Sequence, residues 1–217
     1  MAAIFLDLDG TLTDPKPGIT AAVRHALQSL GLHAPSSDDL AWTIGPPLID
    51  SFRRLGASDP QAALELYRAH YNAGGLYDAT VFPGILPSLS AMRDAGHRLY
   101  VATAKPHAYA RKITAHFGLA PFMTAEFGPE LDGTRNDKAE LLAHALNLTG
   151  EDPGDAVMVG DRHHDIDAAR ANRMDAIAVA WGYGTGDEHR RARLRIDRPE
   201  ALGTAVLGFL ARRSGDQ

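Results

Sequence analysis

The chain has 217 residues, enough for one α/β core carrying an insertion or for two small domains. Acidic residues number 27 against 22 basic ones, a net charge of −5, so no broad positive field is present to attract nucleic acid or an anionic membrane. The absence of cysteine excludes disulfides, thiolate metal sites and a cysteine nucleophile. With no basic leader and no run approaching 18 apolar residues, the expectation is a cytoplasmic protein without a membrane span.

The first element is Ile4-Phe5-Leu6, an apolar run without polar alternation, as in a strand covered on both faces. It leads into Asp7-Leu8-Asp9-Gly10-Thr11, where Gly10 permits a sharp turn. Side chains alternate along a strand, so Asp7 and Asp9 are expected to point the same way. Two adjacent carboxylates repel unless a cation or a proton stands between them. A calcium loop counted from Asp7 fails, because Leu12 falls where the loop needs glycine and Gly18 where it needs a bidentate Glu.

Pro15 and Pro17 then mark an irregular connector. Helical spacing of Ala22, Val23, Ala26, Leu27 and Leu30 predicts a helix from Ile19, and further helices are expected from Ser37 to Ile44, Pro47 to Leu55 and Asp59 to Tyr71. Residues 15–82 therefore read as a small helical domain inserted into an α/β core formed by residues 1–14 and 83–217. After Pro83-Gly84 the pattern alternates. Helices are expected at Ile85 to Ala95, from Lys105-Pro106 to Phe117, at Asp137 to Leu146, at Asp165 to Ala171 and at Glu200 to Arg212. Strands are expected at Leu99 to Thr103, Met123 to Phe127 (an edge), Ala156 to Val159 and Ala176 to Ala180.

Strand and helix in alternation with apolar strands predict a doubly wound, Rossmann-like parallel sheet with right-handed crossovers. Ligands of such sheets bind beyond the carboxyl ends of the strands, where Asp7, Thr103 and Asp161 fall. The Gly182-Tyr183-Gly184-Thr185-Gly186 turn lacks the spacing of a dinucleotide fingerprint and reads as a loop. Asn172 is expected to take the left-handed position that ends its helix.

These strand ends carry residue types suited to phosphoryl transfer through a covalent intermediate. Asp7 is the candidate nucleophile and Asp9 the candidate acid and base. Thr103 can donate its hydroxyl to a phosphate oxygen. Lys138 sits in the first turn of a helix, where a cation is disfavoured by ~0.3–1 kcal/mol unless an anion is nearby. Mg²⁺ takes oxygen ligands, which Asp7 and Asp161 can supply, while Asp165 can hold a metal-bound water or Lys138. Lys105 ranks second to Lys138 as the phosphate clamp. His163 and His164 suit Mg²⁺ poorly and are expected to lie outside its ligand set.

In order, Asp7-Leu8-Asp9-Gly10-Thr11, Thr103, Lys138 and the run from Gly160-Asp161 to Asp165 resemble the four motifs of the haloacid dehalogenase-like hydrolases. The helical insert, Thr103-Ala104-Lys105-Pro106 and the turn from Trp181 to Gly184 resemble the phosphoglycolate phosphatase branch. The resemblance implies a Mg²⁺-dependent phosphatase acting through an aspartyl-phosphate on a small phosphorylated metabolite, as a monomer or homodimer. It implies that Asp7, Asp9 (through its backbone carbonyl), Asp161 and Asp165 serve the metal. It further implies that Gly10, Thr11, Thr103, Ala104, Lys105 and Lys138 surround the phosphate, and that the insert is a cap. Alternatives on the same scaffold are a 5′-nucleotidase, a phosphosugar mutase and a non-catalytic phosphate-binding module. The mutases of this superfamily tend to carry an aliphatic residue where this chain has Thr11.

Overall fold

A computed structural model describes residues 1–215. The chain separates into two compact units, Met1–Leu12 with Val81–Gln217 and Thr13–Thr80. The short strands β2 (Thr13–Asp14) and β3 (Thr80–Val81) pair in a two-stranded sheet of their own. No helix among the described residues is long and apolar enough to cross a membrane.

The larger unit is built on a six-stranded sheet in which every neighbouring pair is parallel. Strand β1 (Ala3–Leu6) lies between β4 (Arg98–Ala102) and β6 (Ala156–Gly160). Outside them come β5 (Ala125–Phe127) on one edge, and β7 (Asp175–Val179) followed by β8 (Leu194–Ile196) on the other. All four residues of β1 are buried, which is why its sequence shows no polar alternation. Ile4, Phe5 and Leu6 each contribute about 1.5–3 kcal/mol by leaving water. The Phe5 ring stacks on Tyr100 at 4.8 Å, within a core that includes Met158, Leu142 and Ile166.

Helices α4 (Ile85–Asp94), α5 (His107–His116), α6 (Lys138–Thr149), α7 (His163–Ala171) and α8 (Leu202–Gly215) complete this unit. Helix α6 shows how local sequence sets an element. Asp137 caps its start by accepting from the Glu140 N–H at 2.9 Å, and Gly150 ends it in the left-handed conformation. At the start of β4, Arg98 and Tyr100 project to the same side. There the Arg98 guanidinium forks onto Glu151, with Nη2 at 2.5 Å from Oε2, and the Tyr100 hydroxyl donates to Oε1 at 2.5 Å. Arg98 chiefly, with Tyr100 assisting against the effect of burial, holds the Glu151 carboxyl below its ordinary range. Burial first, then the Glu151 carboxylate, push Tyr100 up to about 12, with Arg98 opposing them.

The smaller unit contains α1 (Lys16–Ser29), α2 (Leu48–Arg54) and α3 (Pro60–Ala73). Its core is made by Val23, Leu27, Phe52, Tyr67 and Tyr71, with Phe52 edge-on to Tyr67 and Tyr67 stacked on Tyr71. Asp59 caps α3 by accepting from the Gln61 and Ala62 N–H groups.

Several boundaries differ from the sequence expectation. Helix α1 begins at Lys16, through the stretch expected to be irregular, because Pro17 in a first turn gives up no hydrogen bond. The helix expected over Ser37 to Ile44 is one 3₁₀ turn, Ala41–Thr43. Just before it the Ser36 hydroxyl accepts from the Asp39 N–H and donates to its carboxylate, competing with helical bonding. At the end of α7 the left-handed residue is Arg173 (φ 58°), not Asn172. The Asn172 amide is engaged instead, donating to the Ala139 and Ala168 carbonyls.

Candidate active site

The carboxyl end of β1 turns through Gly10, whose φ of 83° is one that glycine adopts without strain. A Cβ there would press against the Asp161 carboxylate, 2.8 Å from its Cγ, so the first and fourth motifs meet at this glycine. Asp7 extends the ladder, its N–H donating to the Val159 carbonyl at 2.9 Å, and so stands beside the end of β6. Asp161 follows β6. Asp165 lies in the first turn of α7, where its Oδ2 accepts from the Arg162 N–H at 3.0 Å.

Asp7, Asp161 and Asp165 are all buried, and each offers a carboxylate oxygen within 4.8 Å of the others. Lys138, at the start of α6, reaches the same place. Its Nζ is 2.8 Å from Asp7 Oδ1 and also pairs with Asp165 Oδ1, ion pairs by distance that lack hydrogen-bond alignment. Burial works against the charge of Lys138, but Asp165 and Asp7 outweigh it and raise its pKa. Burial, then the Asp165 and Asp7 charges, push Asp161 up to about 8. Asp165 is raised to about 6 by burial, opposed by Lys138. Three clustered carboxylates facing one ammonium form a set short of positive charge.

Asp9 lies apart from this bridge. Its Oδ2 pairs with Lys105 Nζ at 2.7 Å, with Lys105 buried and Asp9 half-buried. Burial raises Asp9, and Lys105 only partly offsets that. Thr103, one residue beyond β4, is buried, and its Oγ1 accepts from the Lys105 N–H at 3.2 Å. The Thr11 hydroxyl is buried without a hydrogen-bond partner, whereas Ala104 is exposed. Lys138 and Lys105, ranked as rivals for one role by sequence, thus serve different carboxylates.

The turn read as a plain loop is part of this site. The Tyr183 N–H donates to Asp161 Oδ2 at 2.6 Å. A Cβ on Gly182 or Gly184 would overlap Asp161, so both glycines mark close backbone approach. Beyond them His189 Nε2 lies 2.6 Å from the Asp161 carbonyl oxygen, and Glu188 Oε2 accepts from the His163 N–H and from Arg162 Nε, each at 3.0 Å. Burial alone would raise Glu188, but its His163 and Arg162 donors bring it down to about 2. The glycines were the available sequence signal. Nothing in the sequence separated His189 from any other histidine. His163 places Nδ1 2.9 Å from Glu188, and burial beside His163 and Arg162 lowers His164 to about 4. Neither histidine joins the carboxylate cluster.

Residues 4–179 match the model of the family described as haloacid dehalogenase-like hydrolase. The chain belongs to this family. Among its relatives is a 5′-nucleotidase of Pseudomonas aeruginosa, 44% identical over 190 residues that span 86% of each chain. The tyrosine-protein kinase PtkA of Mycobacterium tuberculosis is 42% identical over 185 residues, 85% of this chain and 64% of that longer protein. The crystal structure of a predicted phosphatase from Clostridium acetobutylicum superposes with a TM-score of 0.90 at 32% identity, over 96% of this chain and 99% of the other. As a haloacid dehalogenase-like hydrolase, the chain carries its four motif segments on the strand ends and helix start described above.

Proposed function

We propose that the chain hydrolyses small phosphate monoesters with Mg²⁺ through a phosphorylated Asp7. That it is a phosphoric monoester hydrolase rests on the family match and on the phosphatases it resembles. The observation that carries the finer reading is the buried Asp7, Asp161 and Asp165 cluster, whose Asp161 Oδ1 has no hydrogen-bond partner. An all-oxygen, net negative set fits Mg²⁺ and would disfavour a softer ion. Asp7, Asp161 and Asp165 would hold it, with the Asp9 backbone carbonyl as the further ligand that family resemblance implies. When bound it supplies positive charge against the phosphoryl oxygens and the attacking carboxylate.

The chain's own residues then divide the work. An Asp7 oxygen attacks phosphorus as the ester P–O bond breaks, giving an acyl-phosphate and an alkoxide. Asp9, raised by burial and so able to hold a proton, gives it to the departing alkoxide. Water next attacks the acyl-phosphate, Asp9 takes its proton, and Asp7 is released with inorganic phosphate. Lys138 offsets charge on Asp7 and Asp165 throughout, and the Thr103 and Thr11 hydroxyls are donors for phosphate oxygens.

Two substrate classes have support. A phosphoglycolate phosphatase of Cupriavidus necator is 32% identical over 213 residues, while the nucleotidase relative is 44% identical. The higher identity supports a nucleoside monophosphate, and the motif resemblance supports phosphoglycolate. Initial rates over a panel holding both classes, with Mg²⁺ and with chelator, test the reading. Release of phosphate from either class only with Mg²⁺ is the expected result. Inactivity across the panel would turn the reading toward a binding module.

A further inference from the structure

Asp161 is held at a place where neither sheet nor helix bonding uses its carbonyl. Strand β6 ends at Gly160, and α7 begins only at His163. A buried carbonyl without a donor costs about 1–3 kcal/mol, and here the donor is the His189 ring, itself only 5% exposed. Because a carbonyl oxygen only accepts, His189 must carry its hydrogen on Nε2. That leaves Nδ1 buried with no hydrogen-bond partner. A leucine of similar volume would avoid this cost but would leave the Asp161 carbonyl without its donor.

We propose that His189 is a positioning residue for Asp161, an inference that rests on the Mg²⁺ reading above. Three residues of one loop fix Asp161 and the two residues after it. His189 holds the carbonyl oxygen, the Tyr183 N–H holds carboxylate Oδ2, and Glu188 holds the next two residues through Arg162 Nε and the His163 N–H. The loop approaches so closely that a Cβ on Gly184 would overlap the same carbonyl and lie 2.8 Å from His189 Nε2. With the peptide and one carboxylate oxygen pinned, Oδ1 is the oxygen left over, buried and unpartnered, in a carboxylate that clusters with those of Asp7 and Asp165. Releasing the carbonyl lets the peptide between Asp161 and Arg162 rotate and spoils that aim. Groups that orient a metal ligand typically alter affinity about 10–100-fold when removed.

The test measures Mg²⁺ affinity directly, by calorimetric titration and by the Mg²⁺-induced rise in Tm, without substrate. His189→Leu keeps volume but cannot donate, and is expected to bind Mg²⁺ about 10-fold more weakly. His189→Gln places an amide N–H near the Nε2 position and is expected to bind as the wild type does. His189→Asn has an amide too short to reach and is expected to resemble His189→Leu, so the comparison of amides stands if the leucine variant does not fold. A role confined to satisfying a buried carbonyl predicts lower Tm in the donor-less variants with unchanged Mg²⁺ affinity, and that result overturns the proposal. So does a Gln variant as weak as Asn. A wild type that binds no Mg²⁺ sinks the metal reading and this inference together, whereas a binding wild type with an unaffected Leu variant sinks the inference alone.

Discussion

Lys105 and Asp9 form an ion pair at 2.7 Å, distinct from the bridge that Lys138 makes between Asp7 and Asp165. The pairing ties Lys105 to the group assigned to proton transfer and Lys138 to the group assigned to attack. Lys105→Met should therefore hurt alkyl phosphates, whose leaving groups need a proton, by about 10-fold in kcat/KM while sparing p-nitrophenyl phosphate. Lys138→Ala should slow both. Equal losses for Lys105→Met on the two substrates would detach Lys105 from Asp9's role.

Asp7→Asn removes the nucleophile and one anionic ligand with almost no change of volume. Turnover should fall by about 10³-fold or more, since loss of a nucleophile disables the whole covalent route. The fold should persist, because the change also relieves repulsion with Asp165 and Asp161. Phosphate release and near-UV circular dichroism on the same preparation check the two halves of this prediction. Retention of a tenth of wild-type kcat would reassign the nucleophile.

Glu151 offers a test of stability away from the site. Its carboxyl is depressed chiefly by Arg98, so its contribution is complete above the unfolded value of about 4.3 and is lost as pH falls through the folded value. Charge-assisted bonds are worth about 1.5–3 kcal/mol, but the Arg98 side chain is 41% exposed and screened, so about 1 kcal/mol is the expected cost of Glu151→Gln at pH 7. That corresponds to about 2–4 °C in Tm for a chain of this size. The difference should shrink below about pH 4. Melts at pH 7 and at about pH 3 that show a constant difference would point to packing alone.

Much of the fold was legible because its signals are local and strong. The apolar runs of β1, β4, β6 and β7 cannot sit on a surface, and alternation with helices leaves few topologies open. The convergence of Asp7 and Asp161 followed from their places at strand ends. The rest depended on contacts that no sequence window contains. Tyr183 contributes a backbone N–H, which any residue could supply, and His189 meets Asp161 across 28 positions. Lys138 ranked above Lys105 by sequence, but that the two serve different carboxylates emerged only once Asp9 and Asp165 were placed in space. The end of α7 went to Arg173 because the Asn172 amide was already engaged.

The helical insert should govern which esters react. Replacing residues 15–82 with a short Gly/Ser linker is expected to lower kcat/KM for phosphoglycolate or nucleoside monophosphates far more than for p-nitrophenyl phosphate, whose leaving group needs less help. Equal losses in a variant that is folded and binds Mg²⁺ would make the insert a support for the core.

The central place of β1 has a consequence for synthesis. Strand β1 leaves the ribosome well before the two strands that flank it, which begin at Arg98 and Ala156. At about 5–20 residues per second, Ile4, Phe5 and Leu6 wait roughly 5–20 s for one flank and longer for the other. During that interval an apolar segment with unpaired backbone on both sides is open to aggregation or to a holding chaperone. Thr13–Thr80 alone can collapse in the meantime, so slowing translation near Arg98 should lower the soluble yield of this chain.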